Sequence, residues 1–278
     1  MKAGSLSDKL KILEMQPDWE WPKDAEKTVL KALTQGTPDE KLQAANLAAG
    51  VMSDGTADAV LALIKSDGDP ELRGRLAISL GPALVDFHLM GEIGEDPSEC
   101  LISKPVYDKI RVELKNVYLN EKDELLRRRA LEASVRAPED WHVAAVRELY
   151  ASANEKLRVT AVFCMGFLKG FEQEILASLN DPSEDIRVEA IGSAGEQALT
   201  KAGPEILKVA RAPKTSREMR IAAVDALPYL NPRGTEELLE SLLTSPDEEL
   251  AEAAEDALEE LEMFLSAKEE GDEEEDEE

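Results

Sequence analysis

Along most of the chain the apolar residues recur at helical spacing. Glu172 to Leu179 carries Ile175, Leu176 and Leu179, which predicts a short amphipathic helix. From Asp185 onward Ile186, Ala190 and Ala194 recur every fourth residue and predict a second. Between the two, Asn180-Asp181-Pro182-Ser183 supplies turn residues, and Pro fits the first turn of a helix while stopping the one before it. Asp69-Pro70 and Pro246-Asp247 play the same part. No stretch shows convincing strand alternation, so the pattern predicts an all-α chain.

The paired pattern repeats. After each turn comes an aliphatic residue, usually an Arg, then Ala or Leu three residues on, then a small residue. The copies are LRGRLAISLG from Leu72, LRRRALEASV from Leu126, LRVTAVFCMG from Leu157, IRVEAIGSAG from Ile186 and MRIAAVDALP from Met219, with degenerate copies at Leu42 and Leu250. These anchors are spaced 30, 54, 31, 29, 33 and 31 residues apart. A helical pair of this length cannot bury its own apolar face, so stacking on neighbours must do it. The arithmetic predicts an α-solenoid of about seven hairpins over residues 24–265, with a cap segment at 1–23, an insertion at 82–104 and an acidic disordered tail at 266–278.

The turn Asp-Pro followed by aliphatic-Arg-x-x-Ala-x-x-small, best seen at Asp69 to Gly81 and Asp181 to Gly195, resembles the HEAT-repeat family. More specifically it is similar to the short bacterial type grouped with phycobilisome-lyase-like repeats. In that family the Arg after the anchor typically bonds the turn Asp of a neighbouring repeat. The resemblance therefore implies a ladder role for Arg73, Arg127, Arg158, Arg187 and Arg220, while Gln43 and Ala251 depart from the pattern. Some relatives are bilin lyases or phycobilisome-degradation factors, so the resemblance also implies a chromophore-handling alternative. Those relatives carry paired Trp after an Ala-Ala step, where this chain has Ala77-Ile78-Ser79, Val162-Phe163-Cys164 and Ile191-Gly192-Ser193.

Composition narrows the partners. Hydrophobic residues make up 43% but aromatics only 4%, so the core is expected to be Leu, Ala, Val and Ile. The net charge is -27, which argues against unassisted binding to nucleic acid or anionic membrane. Residues 235–278 hold 21 carboxylates against Lys268, which leaves -7 for residues 1–234. The last ten residues, EEGDEEEDEE, contain no hydrophobe and are expected to repel themselves into disorder. Lys104 to Arg136 runs the other way at +3, with Arg127, Arg128 and Arg129 in succession. Two cysteines, Cys100 and Cys164, give no disulfide framework or thiolate metal site, and no apolar run approaches the length of a membrane span. A cytoplasmic chain is the expectation.

Catalytic signatures are missing. The two histidines, His88 and His142, lie in no HExxH, and there is no GxxxxGK[ST] and no GxSxG. Asp67, Asp69 and Glu71 begin like a calcium loop, but Ile78 stands where its bidentate Glu belongs. The expectation is a chain that is not an enzyme and takes no metal or cofactor. It reads instead as a scaffold or adaptor that holds a protein partner on the concave face of its solenoid. An acidic chaperone or polyanion mimic that binds basic clients through the tail is the alternative, and a bilin lyase-like enzyme a further one. Arg128 and Arg129, off the core-facing Leu126 and Ala130, are expected to face solvent as partner contacts, with Trp141, His142, Phe87 and His88 beside them. The apolar start of the insertion, Ala83 to Met90, is expected to pack on the apolar helix Val162 to Leu168, and Trp19 and Trp21 to cover the open end of the first repeat.

Overall fold

In the computed structural model, residues 5–94, 96 and 100–276 are described, apart from the side chains of Glu92 and residues 267–276. Among them every regular element is helical. The chain divides into two compact units, Met1–Glu139 and Asp140–Glu278.

In the first unit the helices are α1 (Leu6–Glu14), α2 (Ala25–Gln35), α3 (Pro38–Leu47), α4 (Asp54–Ser66), α5 (Pro70–Ser79), α6 (Gly81–Ile93), α7 (Lys104–Asn120) and α8 (Glu124–Ser134). The second holds α9 (Asp140–Tyr150), α10 (Glu155–Met165), α11 (Glu172–Ser178), α12 (Glu184–Glu196), α13 (Gly203–Arg211), α14 (Arg217–Leu230), α15 (Thr235–Leu242) and α16 (Glu248–Asp276). The seven anchors fall on the second helices of seven hairpins: α3, α5 and α8 in the first unit, α10, α12, α14 and α16 in the second. Within each unit, successive second helices lie side by side, α3 on α5 on α8 and α10 on α12 on α14 on α16. This is a HEAT-like helical repeat. The backbone of α16 stays helical to Asp276, into the segment expected to be disordered.

The turns start helices as their residues dictate. Thr37 and Glu40 form a reciprocal capping box ahead of Pro38, and Asp69, Asp123, Asn154 and Ser216 each accept a backbone N–H of the helix they open. Gly94, at φ 75°, ends α6 in the left-handed region.

The anchor arginines do a different job from the one the family resemblance implies. Arg73 Nε donates to the carbonyl of Ile64 at 2.6 Å, Arg127 Nε to that of Tyr118 at 3.0 Å, Arg187 Nη1 to that of Asp181 at 2.7 Å and Arg220 Nε to that of Ala210 at 3.2 Å. Arg158 reaches the carbonyls of Ser152 and Ala153. Each thus satisfies orphan carbonyls at or just past the end of the first helix in its own hairpin, where the helix dipole favours a cation. Side-chain links between repeats include Lys41 to Asp67 at 3.1 Å and Arg73 to Glu121 at 2.5 Å. Backbone amides, from Asp69 to Asp67 and from Lys122 and Asp123 to Glu121, with those cations, hold both carboxyls below their ordinary range.

The insertion is α6, and it packs inward. Ala83 and Leu84 are fully buried, Phe87 is 5% exposed, and Ile102 beyond the helix is 2% exposed. All join the core of the first unit with Tyr107, Ile110 and Leu114 of α7. Phe87 stacks on Tyr107 with ring centroids 4.4 Å apart. Internal packing is therefore observed, and the partners the structure supplies are α7 and α8. The apolar α10 is covered by α12 within its own unit: Ser193 Oγ donates to the carbonyl of Val162 at 2.7 Å and Gln197 to that of Gly166.

At the N-terminus the two tryptophans separate. Trp21 lays its ring against Gly50 and donates from Nε1 to the carbonyls of Leu13 and Gln16, both at 2.9 Å. Trp19 is 83% exposed and covers nothing.

Candidate functional site

Each unit carries a groove on the face of its second helices, and both are built from the same repeat register. On α5, Leu72, Leu76, Ala77 and Leu80 point into the core. Among the other positions Glu71, Arg75, Ile78 and, just beyond, Pro82 recur three or four residues apart and line one outward stripe, with Gly74 buried at its base. α8 adds Leu125 and Arg129, with Arg136 just past its end, and the result is a cavity of about 470 Å³. Counted from the anchors, Arg75 and Arg129 are both third residues, and Pro82 and Arg136 both tenth.

Three guanidinium groups against Glu71 make this groove cationic in a strongly anionic chain. Arg75 Nε bonds Glu71 and its Nη1 bonds Asn46, each at 2.9 Å. Arg129 Nη1 bonds Glu132 at 2.6 Å; the Glu132 side chain is 6% exposed and that of Arg129 43%. The arginine stems lie over glycines. A Cβ at Gly81 would fall 2.8 Å from Arg136 Cδ, and one at Gly74 3.3 Å from Arg129 Cγ.

The second unit's groove, about 370 Å³, lies between α12, α14 and α16. Its lining includes Glu189, Glu196, Asp225, Asp256 and Glu260 over a floor of Gly and Ala. Partial burial, with Asp256 and Glu260 nearby, pushes the Asp225 carboxyl up to about 6. Burial and a hydrogen bond donated to Glu260 push the Tyr229 hydroxyl up as well. A folded carboxyl that keeps its proton up to about pH 6, against 3.8 when unfolded, makes the fold less stable as pH rises through that window. Asp225→Asn should therefore raise stability by about 1 kcal/mol at pH 8, the full shift being discounted because the groove is open to water, and by almost nothing below pH 4. Urea melts at the two pH values read this directly, and an equal gain at both would contradict the assignment. Among the described residues no group of three or more His, Cys, Asp or Glu is placed to hold a metal ion.

The residues expected as partner contacts scatter. Arg129 lines the cationic groove, whereas Arg128 is half-buried and does not. His142 has no exposure at all and stacks on the half-buried Trp141 at 3.8 Å. Phe87 is core and His88 half-buried. Full burial closes His142 and Phe87 to a partner, because each sits on the inward stripe of its helix. Arg75 and Arg136, which sequence reasoning did not single out, complete the groove. Aligning the copies by their anchors and reading the third and tenth positions would have found both.

The fold defines an all-helical, HEAT-like repeat protein. No protein-family model matches the chain, and no curated protein matches its sequence. Human deoxyhypusine hydroxylase is similar over 93% of this chain and 96% of its own, at 15% identity and a TM-score of 0.43. YibA of Escherichia coli is similar over 94% and 98%, at 15% identity and 0.37, and an engineered protein over 93% and 89%, at 17% identity and 0.35. The first of these is an enzyme by its name, which corrects the expectation that this chain is not one. No helix among the described residues is long and apolar enough to cross a membrane.

Proposed function

We propose that the chain is a cytoplasmic scaffold or adaptor, of the short bacterial HEAT-like type, that holds a protein partner along the second-helix face of its first unit. The cationic groove carries this reading. It is concave, its arginines are braced by Glu71, Asn46 and Glu132, and its apolar floor includes Ala45, Ile78, Pro82 and Leu125. Braced side chains lose less freedom on binding than mobile ones, which favours recognition at such a surface.

Site-directed photo-crosslinking tests it. A photoreactive phenylalanine analogue at Ile78, in the groove, should capture one defined partner in source cells. The same analogue at Val112, 58% exposed on the first-helix side at α7, should not. Equal or no capture at Ile78 would refute the reading.

A further inference from the structure

We infer that the cationic groove of the first unit receives an extended acidic peptide segment, its carboxylates paired with Arg75, Arg129 and Arg136. The inference rests on the proposed partner-binding role and adds the chemistry of the occupant. A guanidinium has five N–H donors in a planar fork that matches a carboxylate bidentately. The bonds to Glu71, Asn46 and Glu132 use only part of that supply: Nε and Nη1 of Arg75, and Nη1 of Arg129. Both side chains remain over 40% exposed, so an incoming carboxylate can reach them.

Charge selects among anions. At -27 the chain as a whole repels a long polyanion such as nucleic acid, whose binding needs many neutralised phosphates. A short segment with a few carboxylates meets the groove's arginines and little else of the field. The floor completes the match, because Ile78, Pro82 and Leu125 offer apolar surface between the guanidinium groups. A segment alternating Glu with aliphatic residues satisfies both parts.

The probe is a fluorescein-labelled decapeptide alternating Glu and Leu, titrated by anisotropy into the full-length chain at low salt. Its counterpart alternating Gln and Leu is the control. The Glu peptide should bind at least about tenfold more tightly than the Gln peptide, the size expected of charge-assisted hydrogen bonds. Arg75→Gln and Arg136→Gln should each weaken it by about tenfold, and raising salt should weaken it further by screening. Arg129→Lys keeps a cation beside buried Glu132, so the fold stays intact while the bidentate fork is lost, and it too should weaken binding. Arg217→Gln on α14, outside the groove and paired with Asp247 and Glu249, should leave affinity unchanged.

Equal affinity for the two peptides, no binding up to 1 mM, or indifference to Arg75→Gln and Arg136→Gln with circular dichroism unchanged would each overturn the inference. Tighter binding of a peptide of residues 269–278, EEGDEEEDEE, which has no hydrophobe, would overturn the match to alternating Glu and aliphatic residues. Capture of a partner at Ile78 without preference for the Glu peptide would leave the proposed function standing and remove this inference alone.

Discussion

Phe87→Ala should destabilise the first unit by about 3–5 kcal/mol, the usual cost of emptying a buried aromatic site. Phe87 is 5% exposed, stacks on Tyr107 and belongs to the same cluster as the fully buried Leu84, Ile110 and Leu114. Removing the ring leaves a cavity between α6 and α7 that the surrounding helices fill only in part. Against a typical total stability of about 5–15 kcal/mol, such a loss is large. Thermal melting or urea titration of the full chain reads it. A partner contact would behave oppositely, losing binding and leaving the melt unchanged. Trp19→Ala, at an 83% exposed position, should fall within about 0.5 kcal/mol of the parent. A Phe87→Ala protein as stable as the Trp19→Ala one would show that α6 is not part of the core.

Gly195→Val should cost the second unit about 3 kcal/mol, for the opposite reason. A Cβ at Gly195 would lie 3.1 Å from Ala226 Cβ and 3.2 Å from its Cα, so α12 and α14 approach almost to backbone contact there. Valine adds two methyl groups to a position with no room for one, and overpacking of this kind typically costs about 1–3 kcal/mol. Gly192→Val supplies the control on the same helix. A Cβ there meets nothing within 4 Å, so only the propensity cost of a β-branched side chain remains, offset by the removal of a helical glycine. Equal losses for the two variants would mean that helix propensity, and not the α12–α14 approach, sets the effect.

These two positions show where the repeat pattern was informative. The spacing of the anchors located all seven second helices, and small residues that follow them are the ones that approach closely at Gly195 and Ala226. The apolar start of the insertion was recognisable as a segment that must be buried, because Leu84 and Phe87 have no other way to leave water. Its partner was not recognisable. Many apolar helices in the chain could have accepted it, and burial free energy is non-directional. The arginines after the anchors show the same division. The family resemblance implied a structural role for them, but side-chain Asp and backbone carbonyl are equally good acceptors in sequence. The choice fell to carbonyls that each helix end exposes within reach of the following helix.

The candidate site was half legible. Arg129 was identified from its offset from Leu126 and Ala130, while Arg75 and Arg136 were passed over, and His142 and Phe87 were expected as partner contacts although both are buried. Helical periodicity tells inward from outward stripes along one helix, and so settles the all-α class, the hairpin length and the series of copies. It carries no information about which outward stripes become neighbours. Arg75 and Arg129 are 54 residues apart, and they meet only because α5 and α8 pack side by side past the extra helix α6. A groove is a property of two or three helices at once. Local spacing encodes each wall, and long-range packing brings the walls together.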